Sequence, residues 1–346
     1  MDTMRVAVLK EPRQVEIEER PKPPTGPGEV LVRTKACAIC SLERRLYTGD
    51  QVIMYPLVGG HEVSGVIEQV GEGVLTPFEP GEHVVLDLLN RCGECWFCRT
   101  GHSNHCVNMW RKGNHILGGL AEYVSVPSKQ VFAIDRNVSF PEAALTEPLS
   151  DCIHSLMRTH LSPEMKVLVI GAGTMGLLHL AILKHYGMTA LVSDLDGDKL
   201  QVAAAMGADY AFDRNDSSPN HQLDGAGIPG ADVVVVTAPG EQAIQEGFRA
   251  VGPLGTIVLF ASQAEGTNIC VDANLLHYNE LTITGSESRT EKDFLQAVSM
   301  QNSGDLYLKP LLSEVVPLED IEKAFEMALD VSKFRVVVAM DGVETF

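Results

Sequence analysis

The sequence has no excess of positive charge. Its 346 residues include 27 Lys and Arg against 46 Asp and Glu, which gives a formal net charge of −19 at pH 7. Because affinity for nucleic acid comes from clustered Lys and Arg that neutralise phosphates, this balance opposes nucleic acid as a partner. We therefore expect no nucleic-acid function.

Long apolar runs are also missing. No stretch reaches the ~18 apolar residues of a transmembrane helix. The first twenty residues hold Glu11, Arg13, Glu16, Glu18 and Glu19 where a signal peptide would have its apolar centre. We expect no membrane association and a cytoplasmic location.

The length of the chain predicts two domains, because it exceeds the size at which one core usually stops growing. Over the first ~150 residues, short β-branched runs alternate with Gly and Pro, which predicts an irregular, mostly β domain. From Lys166 onward, apolar strands alternate with glycine turns and helices, which predicts βαβ units and a parallel sheet. The clearest strands are predicted at 29–35, 63–70, 83–88, 167–170, 190–193, 233–237, 256–260 and 335–339, and helices at 177–185, 292–301 and 318–328.

A Gly-x-Gly-x-x-Gly turn lies between the strand that begins at Lys166 and a helix. Gly171 would permit the tight turn, Gly173 the approach of a pyrophosphate, and Gly176 the close packing of helix on strand. The N–H groups at the helix start, at Thr174 and Met175, would favour the anion. The pattern predicts a dinucleotide site; the alternative is a glycine turn that serves packing alone.

Asp194 closes the next predicted strand, at the spacing where a carboxylate accepts hydrogen bonds from an adenosine ribose. A carboxylate there would repel a 2′-phosphate, which favours NAD over NADP. Lys199 lies close enough in sequence to moderate that repulsion.

Four cysteines crowd into fifteen residues with the spacing C-x2-C-x2-C-x7-C. They are Cys92, Cys95, Cys98 and Cys106. Four thiolates complete a tetrahedral zinc shell and leave no open position, so the site would be structural. The alternatives are an iron–sulfur cluster, unligated buried thiols, or His105 in place of Cys106 as the fourth ligand.

A second group of zinc-ligand types is more dispersed. Cys40 lies about twenty residues before His61 and Glu62, and these offer a thiolate, an imidazole and a carboxylate. Taken alone, such residues more often serve packing or surface roles.

The order of the motifs resembles the zinc-containing medium-chain dehydrogenase/reductase family over nearly the whole chain. The matching segments are the turn 38–43 around Cys40, the Gly-His-Glu segment 60–65 with Gly71, the four-cysteine lobe, the segment 118–127, the Glu-Pro-Leu-Ser run 147–150 and the glycine turn. The run at Glu147 is similar to the polyol (sorbitol) and threonine dehydrogenase branch, since simple alcohol dehydrogenases typically place a cysteine there.

The resemblance implies an α/β architecture with a GroES-like, mostly β catalytic domain and a doubly wound Rossmann domain. The catalytic domain would comprise 1–154 and 288–346, with a structural-zinc lobe at 91–107, and the Rossmann domain 155–287. It also implies two Zn²⁺ per chain, NAD, and a homodimer or homotetramer. Cys40, His61 and Glu147 would hold the catalytic zinc, with Glu62 exchanging with Glu147 or with bound water, so the third ligand is either of these glutamates.

The sequence departs from the family beside Cys40. Relatives commonly carry Ser or Thr two residues after this cysteine, where the hydroxyl starts a proton relay, and here that residue is Leu42. Ser41, Glu43 or Arg45 could replace it, although Glu43 stands where an Asp commonly supports the zinc-bound His. Asp151, four residues after Glu147, would either contact a polar substrate or act as a helix-cap or surface carboxylate.

We therefore expect a zinc enzyme that transfers hydride from a secondary alcohol of a polyol, cyclitol or aminocyclitol to NAD⁺ and yields a ketone. The sequence leaves a sugar acid open as the substrate as well. Zinc would act as the Lewis acid that lowers the pKa of the alcohol. Two alternatives stay open: an amino-alcohol dehydrogenase of the threonine type, and a zinc-scaffolded binding module without catalysis.

Overall fold

The computed structural model describes residues 2–51, 54–109 and 118–340. The chain divides into two compact units. The first has the bounds Met1–Ser150, Thr290–Gly304 and Leu311–Phe346, and the second has the bounds Asp151–Arg289 and Asp305–Pro310.

The strands are numbered along the chain. They are β1 (Thr3–Glu11), β2 (Gln14–Pro21), β3 (Glu29–Ile39), β4 (Leu57–Val58), β5 (Glu62–Val70), β6 (His83–Asp87), β7 (Tyr123–Pro127), β8 (Val131–Ala133), β9 (Lys166–Ile170), β10 (Thr189–Asp194), β11 (Tyr210–Asp213), β12 (Ala231–Val236), β13 (Val251–Leu259), β14 (Thr282–Gly285), β15 (Leu312–Pro317) and β16 (Arg335–Ala339).

The α-helices are α1 (Ser41–Thr48), α2 (Trp96–Arg99), α3 (Phe140–Ala143), α4 (Thr146–Leu156), α5 (Thr174–His185), α6 (Gly197–Ala205), α7 (Pro219–Gly225), α8 (Glu241–Ala250), α9 (Ala273–Asn279), α10 (Glu291–Asn302) and α11 (Ile321–Leu329). No helix in the described ranges is long and apolar enough to cross a membrane.

The first unit is built on two β-sheets. A three-stranded sheet has the order β2-β1-β4, and a larger sheet runs β15-β16-β3-β5-β6-β8, with β7 also paired to β3. The antiparallel pairing of β3 with β5 shifts register twice. At one shift Gly65 lies so near β3 that a Cβ would come within 2.4 Å of the Arg33 carbonyl oxygen. The last strand, β16, pairs with the C-terminal part of β3, so the C-terminal segment of the chain belongs to the sheet that the N-terminal strands form.

The second unit is a parallel sheet with the order β11-β10-β9-β12-β13-β14. β9 lies between β10 and β12, and its apolar residues are buried, as in a parallel sheet that is covered on both faces. The strand order reverses at β9, and ligands of such sheets bind outside the carboxyl ends of the strands at this point. The mostly β unit and the doubly wound parallel sheet confirm the predicted α/β fold class.

Candidate active site and cofactor site

Cys40 lies where a strand becomes a helix. β3 ends at Ile39, and Cys40 is the N-cap of α1. Its Sγ accepts a hydrogen bond from the N–H of Leu42 at 3.1 Å, and its own N–H donates to Glu43 Oε2 at 3.2 Å. The backbone N–H of Glu43 also donates to the Cys40 side chain, and together with the bond from Cys40 N–H to Glu43 it forms a capping box, which fixes the direction of the thiol.

His61 follows a glycine that the backbone requires. Gly60 has φ of +93°, and a Cβ there would lie 2.6 Å from the Cys37 sulfur. The tight turn places His61 Nε2 at 3.5 Å from Cys40 Sγ. Cys37, to which the sequence analysis assigned no role, is thus a buried residue that packs against this turn.

Glu43 connects the two residues. Its Oε1 lies 2.7 Å from His61 Nδ1 and accepts the N–H of Gly60 at 3.1 Å, while Oε2 accepts the N–H of Cys40. In the neutral ring, an Nδ1–H donated to this carboxylate leaves Nε2 unprotonated, and this is the tautomer that binds a metal.

Two further carboxylates approach His61. Glu147, in the first turn of α4, places Oε1 at 3.7 Å from His61 Nε2. Glu62 begins β5 with its side chain buried, and Arg335 Nη2 lies 2.5 Å from its Oε1. Burial raises the pKa of Glu62 to about 7, against the opposing charge of Arg335. Ligand atoms of His61, Glu62 and Glu147 all lie within 4.8 Å of one another.

The electrostatics of this cluster favour a cation. Burial raises the pKa of the Cys40 thiol to about 11, and Glu43 adds to the effect. Burial would also raise the pKa of Glu43, but His61 lowers it to about 2. Burial opposes protonation of His61, yet Glu43, Cys40 and Glu147 raise its pKa well above the ordinary value. Positive charge beside Nε2 is therefore strongly stabilised.

The donor atoms fit zinc. Bonds of 2.3 Å to sulfur and 2.0–2.1 Å to nitrogen in a tetrahedron separate the two ligand atoms by roughly 3.5 Å. The sulfur of Cys40 and Nε2 of His61 are 3.5 Å apart. With one carboxylate as the third ligand, the set leaves a fourth position for a substrate oxygen.

The four-cysteine lobe forms a second cluster. The sulfurs of Cys92, Cys95, Cys98 and Cys106 all lie within 4.8 Å of one another. Cys92 Sγ is 3.5 Å from that of Cys106 and 4.0 Å from that of Cys98, against roughly 3.8 Å for a tetrahedral zinc–sulfur shell. Hydrogen bonds from Asn108 and from backbone N–H groups lower the pKa of Cys92 to about 6, which favours the thiolate that zinc binds. His105 lies instead against the ring of Phe97, with centroids 5.9 Å apart.

Buried contacts hold the lobe to the rest of its unit. Arg91 is ion-paired to Asp87 at the end of β6, and Ser103 donates a hydrogen bond to Glu291 in α10. Asp87 and Arg91 are both buried.

The glycine turn connects β9 to α5 in the second unit. Gly171 has φ of +108°, Gly173 is the N-cap, and α5 begins at Thr174, three residues earlier than the sequence analysis predicted. A Cβ at Gly176 would lie 1.8 Å from the Gly171 carbonyl oxygen, whereas a Cβ at Gly173 would meet nothing within 4 Å. Gly176 is thus required by packing. Gly173 borders open space at the N-terminus of α5, where Thr174 and Met175 lie.

Asp194, at the end of β10, is oriented by the backbone. Oδ2 accepts the N–H of Ala172 at 2.5 Å, and Oδ1 accepts the N–H groups of Leu195 at 2.8 Å and Asp196 at 2.9 Å. The carboxylate is therefore fixed beside the glycine turn. Lys199 Nζ lies 3.8 Å from the carboxylate of Asp196. Arg214, the first residue after β11, has its side chain ion-paired to Glu246 at 2.6 Å.

The residues near Cys40 and Glu147 that could serve a proton relay or contact the substrate differ in their surroundings. Leu42 packs against the core of the first unit, and Ser41 is exposed. Arg45 Nε donates to Gln51 at 3.1 Å. Asp151 pairs with the buried Arg289 at 3.3 Å within the second unit.

Arg335 is the main residue of the site that the sequence analysis missed. It opens the otherwise apolar β16. A single charge at the start of a buried strand was the available signal, but its partner, Glu62, lies 273 residues earlier.

Comparisons with known proteins point to one enzyme family. The family model described as alcohol dehydrogenase GroES-like domain matches residues 26–136, and the one described as zinc-binding dehydrogenase matches residues 174–303. The chain is 32% identical over 300 residues to 2-dehydro-3-deoxy-L-galactonate 5-dehydrogenase from Pseudoalteromonas atlantica, covering 86% of this chain and 87% of that protein.

The chain belongs to the zinc-containing medium-chain dehydrogenase/reductase family. Sorbitol dehydrogenase from Bacillus subtilis is 29% identical over 333 residues, with 94% of each chain covered. The structure of an alcohol dehydrogenase from E. coli CFT073, complexed with NADH, superposes with a TM-score of 0.89 at 27% identity and covers 98% of this chain and 100% of that chain.

These matches confirm the predicted family, with its polyol branch, and the predicted oxidoreductase class. This dehydrogenase is a zinc- and nicotinamide-dependent enzyme.

Proposed function

We propose that this dehydrogenase oxidises a secondary hydroxyl of a polyol-type substrate to a ketone with NAD⁺. The observation that carries the proposal is the convergence of Cys40, His61 and Glu147 in a buried cluster that suits a three-ligand, open zinc site. The names of the relatives, a sorbitol dehydrogenase and a dehydrogenase of a sugar acid, support a polyhydroxylated substrate.

The chain's own residues would prepare the site. Glu43 holds the Nδ1 proton of His61 and orients Cys40, so that both donor atoms face one point. Arg335 holds Glu62, which supports Glu147 as the third ligand and leaves Glu62 as the carboxylate that exchanges with it. Zinc bound there would lower the pKa of the substrate hydroxyl, and NAD⁺ would accept the hydride. A carboxylate in place of a thiolate makes the zinc harder, which suits the vicinal oxygens of a polyol.

Cofactor preference would follow from charges around Asp194. The carboxylate opposes a 2′-phosphate. Two cations lie near it: Lys199, five residues later, and Arg214, whose backbone N–H donates to the Asp194 carbonyl at 2.9 Å. Both are engaged with other acids, Lys199 with Asp196 and Arg214 with Glu246. These pairs support NAD over NADP.

The test combines turnover with zinc content. A panel of secondary polyols, L-threonine and a simple secondary alcohol is offered with NAD⁺, and NADH is followed by absorbance. We expect NADH from a polyol and two zinc ions per chain. Glu147→Ala should lose most turnover and one zinc, while the matched variant Glu62→Ala should keep more of both.

Two results would overturn parts of the proposal. A fully active Glu147→Ala enzyme with two zinc ions would make Glu62 the third ligand. Turnover of L-threonine without turnover of any polyol would replace the substrate class.

A further inference from the structure

Arg44 differs from the other enclosed arginines of the chain. Arg91, Arg214, Arg289 and Arg335 have side chains no more than 10% exposed, and each is ion-paired to a carboxylate. Arg44 is half-buried, and its Nε, like the Nε of the other four, is shielded from solvent without a hydrogen-bond partner in the described part of the chain. What sets Arg44 apart is that, among the described residues, no carboxylate forms an ion pair with its guanidinium.

Its position is beside the proposed zinc site. The backbone N–H of Arg44 donates to the carbonyl of Cys40 at 3.1 Å, so Arg44 lies one helical turn after a proposed zinc ligand. Burial lowers the pKa of its guanidinium, Arg335 lowers it further, and Cys40 raises it. Cys40 and Arg335 are therefore charged groups that bear on the guanidinium of Arg44.

An unpaired, partly desolvated cation next to a second cation is unfavourable. Buried polar groups are nearly always paired, and an exception at a functional site needs an explanation. The positive charge of Arg335 is already balanced by Glu62. A negatively charged group of a bound ligand would supply the ion pair that the Arg44 guanidinium lacks.

We infer that Arg44 binds a carboxylate of the substrate, so that the preferred substrate is a polyhydroxy acid and not a neutral polyol. The inference rests on the proposed function, since it assumes a substrate at the zinc site. The planar guanidinium fork matches a carboxylate bidentately. A single unbalanced guanidinium matches the single charge of a carboxylate better than the two charges of a phosphate ester. With a net charge of −19, the protein as a whole repels anions, so binding an acid calls for such a local cation.

The experiment compares an aldonic acid panel with the corresponding neutral alditols and alditol phosphates, using the zinc-loaded enzyme and NAD⁺. Arg44→Gln should lower kcat/KM for the acid roughly 10- to 100-fold, mainly through KM, which is the usual effect of losing a charged hydrogen bond. The loss for the neutral alditol should be at least tenfold smaller. Arg44→Lys should recover part of the acid activity. Arg33→Gln, which removes an exposed positive charge on β3, serves as the control for net charge.

Three outcomes would overturn the inference. If Arg44→Gln lowered kcat/KM equally for the acid and the alditol, Arg44 would have only a structural role. If it lowered kcat/KM for the alditol phosphate alone, the anion that Arg44 binds would be a phosphate and not a carboxylate. A weaker affinity for NADH, measured by fluorescence without substrate, together with unchanged discrimination between acid and alditol, would place Arg44 on the cofactor.

A binding measurement separates this inference from the proposed function. The shift in Tm caused by the acid is measured for the wild-type and Arg44→Gln proteins. A shift seen only in the wild type supports the carboxylate site even if no compound is oxidised, in which case the proposed function alone fails. No shift and no turnover with any acid would refute the inference.

Discussion

The carboxylate of Glu43 lies 2.7 Å from Nδ1 of His61 and accepts the N–H of Cys40 with its other oxygen. One side chain, 1% exposed, therefore orients two of the proposed zinc ligands. The helix cap and the metal site share this residue, because Glu43 is also the third residue of α1 and completes its capping box. This engagement leaves Glu43 poorly suited to replace the missing relay hydroxyl at Leu42.

We predict that Glu43→Gln weakens the zinc site selectively. The amide would present a donor to either the N–H of Cys40 or Nδ1 of His61, so one of the two orienting bonds is lost. Zinc affinity and kcat should fall roughly 10- to 100-fold, as when partners of metal ligands are removed elsewhere. Zinc content is measured after dialysis against a chelator, with the lobe zinc as the internal standard. Glu43→Asp should lose less, and a Glu43→Gln protein that holds both ions with wild-type kcat would contradict the role.

The cysteine lobe is predicted to stabilise the enzyme without taking part in turnover. Cys98→Ser should lose the lobe zinc and lower Tm by roughly 5–10 °C, because the bound metal contributes directly to folding. Cys270→Ser is the matched control, since Cys270 is exposed and lies outside the lobe. Activity per folded molecule at low temperature should change little. A Cys98→Ser enzyme of unchanged Tm that had lost only kcat would show that the lobe is catalytic.

The sequence predicted the fold well where a pattern is local. β9 and β16 follow from short apolar runs, and the glycine turn follows from spacing. Its helix was predicted too short, because apolar periodicity begins at Leu177. The structure begins the helix at Thr174, since Gly176 must pack inside its first turn against Gly171.

The site was harder to predict because its residues are joined by long-range pairs. β3 was predicted to end at 35, but it continues through small residues to Ile39, and this extension delivers Cys40 to the site. The pairing of Glu62 with Arg335 spans 273 residues and depends on β16 joining β3. No local pattern in one sequence contains that information.

His179 is predicted to make the enzyme less stable in acid. The ring is buried in α5, with Nε2 2.6 Å from Ser155 Oγ and Nδ1 2.7 Å from the Met175 carbonyl oxygen. Burial lowers its pKa to about 4. The unfolded chain, with a histidine pKa of about 6.5, takes up the proton first, so stability is lost as pH falls from about 6.5 toward 4.

The loss attributable to His179 should reach about 2 kcal/mol by pH 5. His179→Gln removes this loss, so the fall in Tm between pH 7 and pH 5 should be roughly 3 °C smaller in the variant than in the wild type. Scanning calorimetry at the two pH values gives the comparison, and using the difference cancels the contribution of other titrating groups. Equal falls in Tm for both proteins would show that His179 is not the responsible group.

The two glycines at the start of α5 should respond differently to alanine. A Cβ at Gly173 meets nothing within 4 Å, so Gly173→Ala should keep the wild-type Tm while raising the KM for NAD⁺, because the methyl group occupies the space that a pyrophosphate would enter. A Cβ at Gly176 would come within 1.8 Å of the Gly171 carbonyl oxygen, so Gly176→Ala should lower Tm by several degrees. The pair separates binding from packing: affinity for NADH is measured by fluorescence titration and stability by thermal melting. If Gly173→Ala bound NADH as tightly as the wild type, the turn would be a packing device only, and the dinucleotide would have to bind elsewhere.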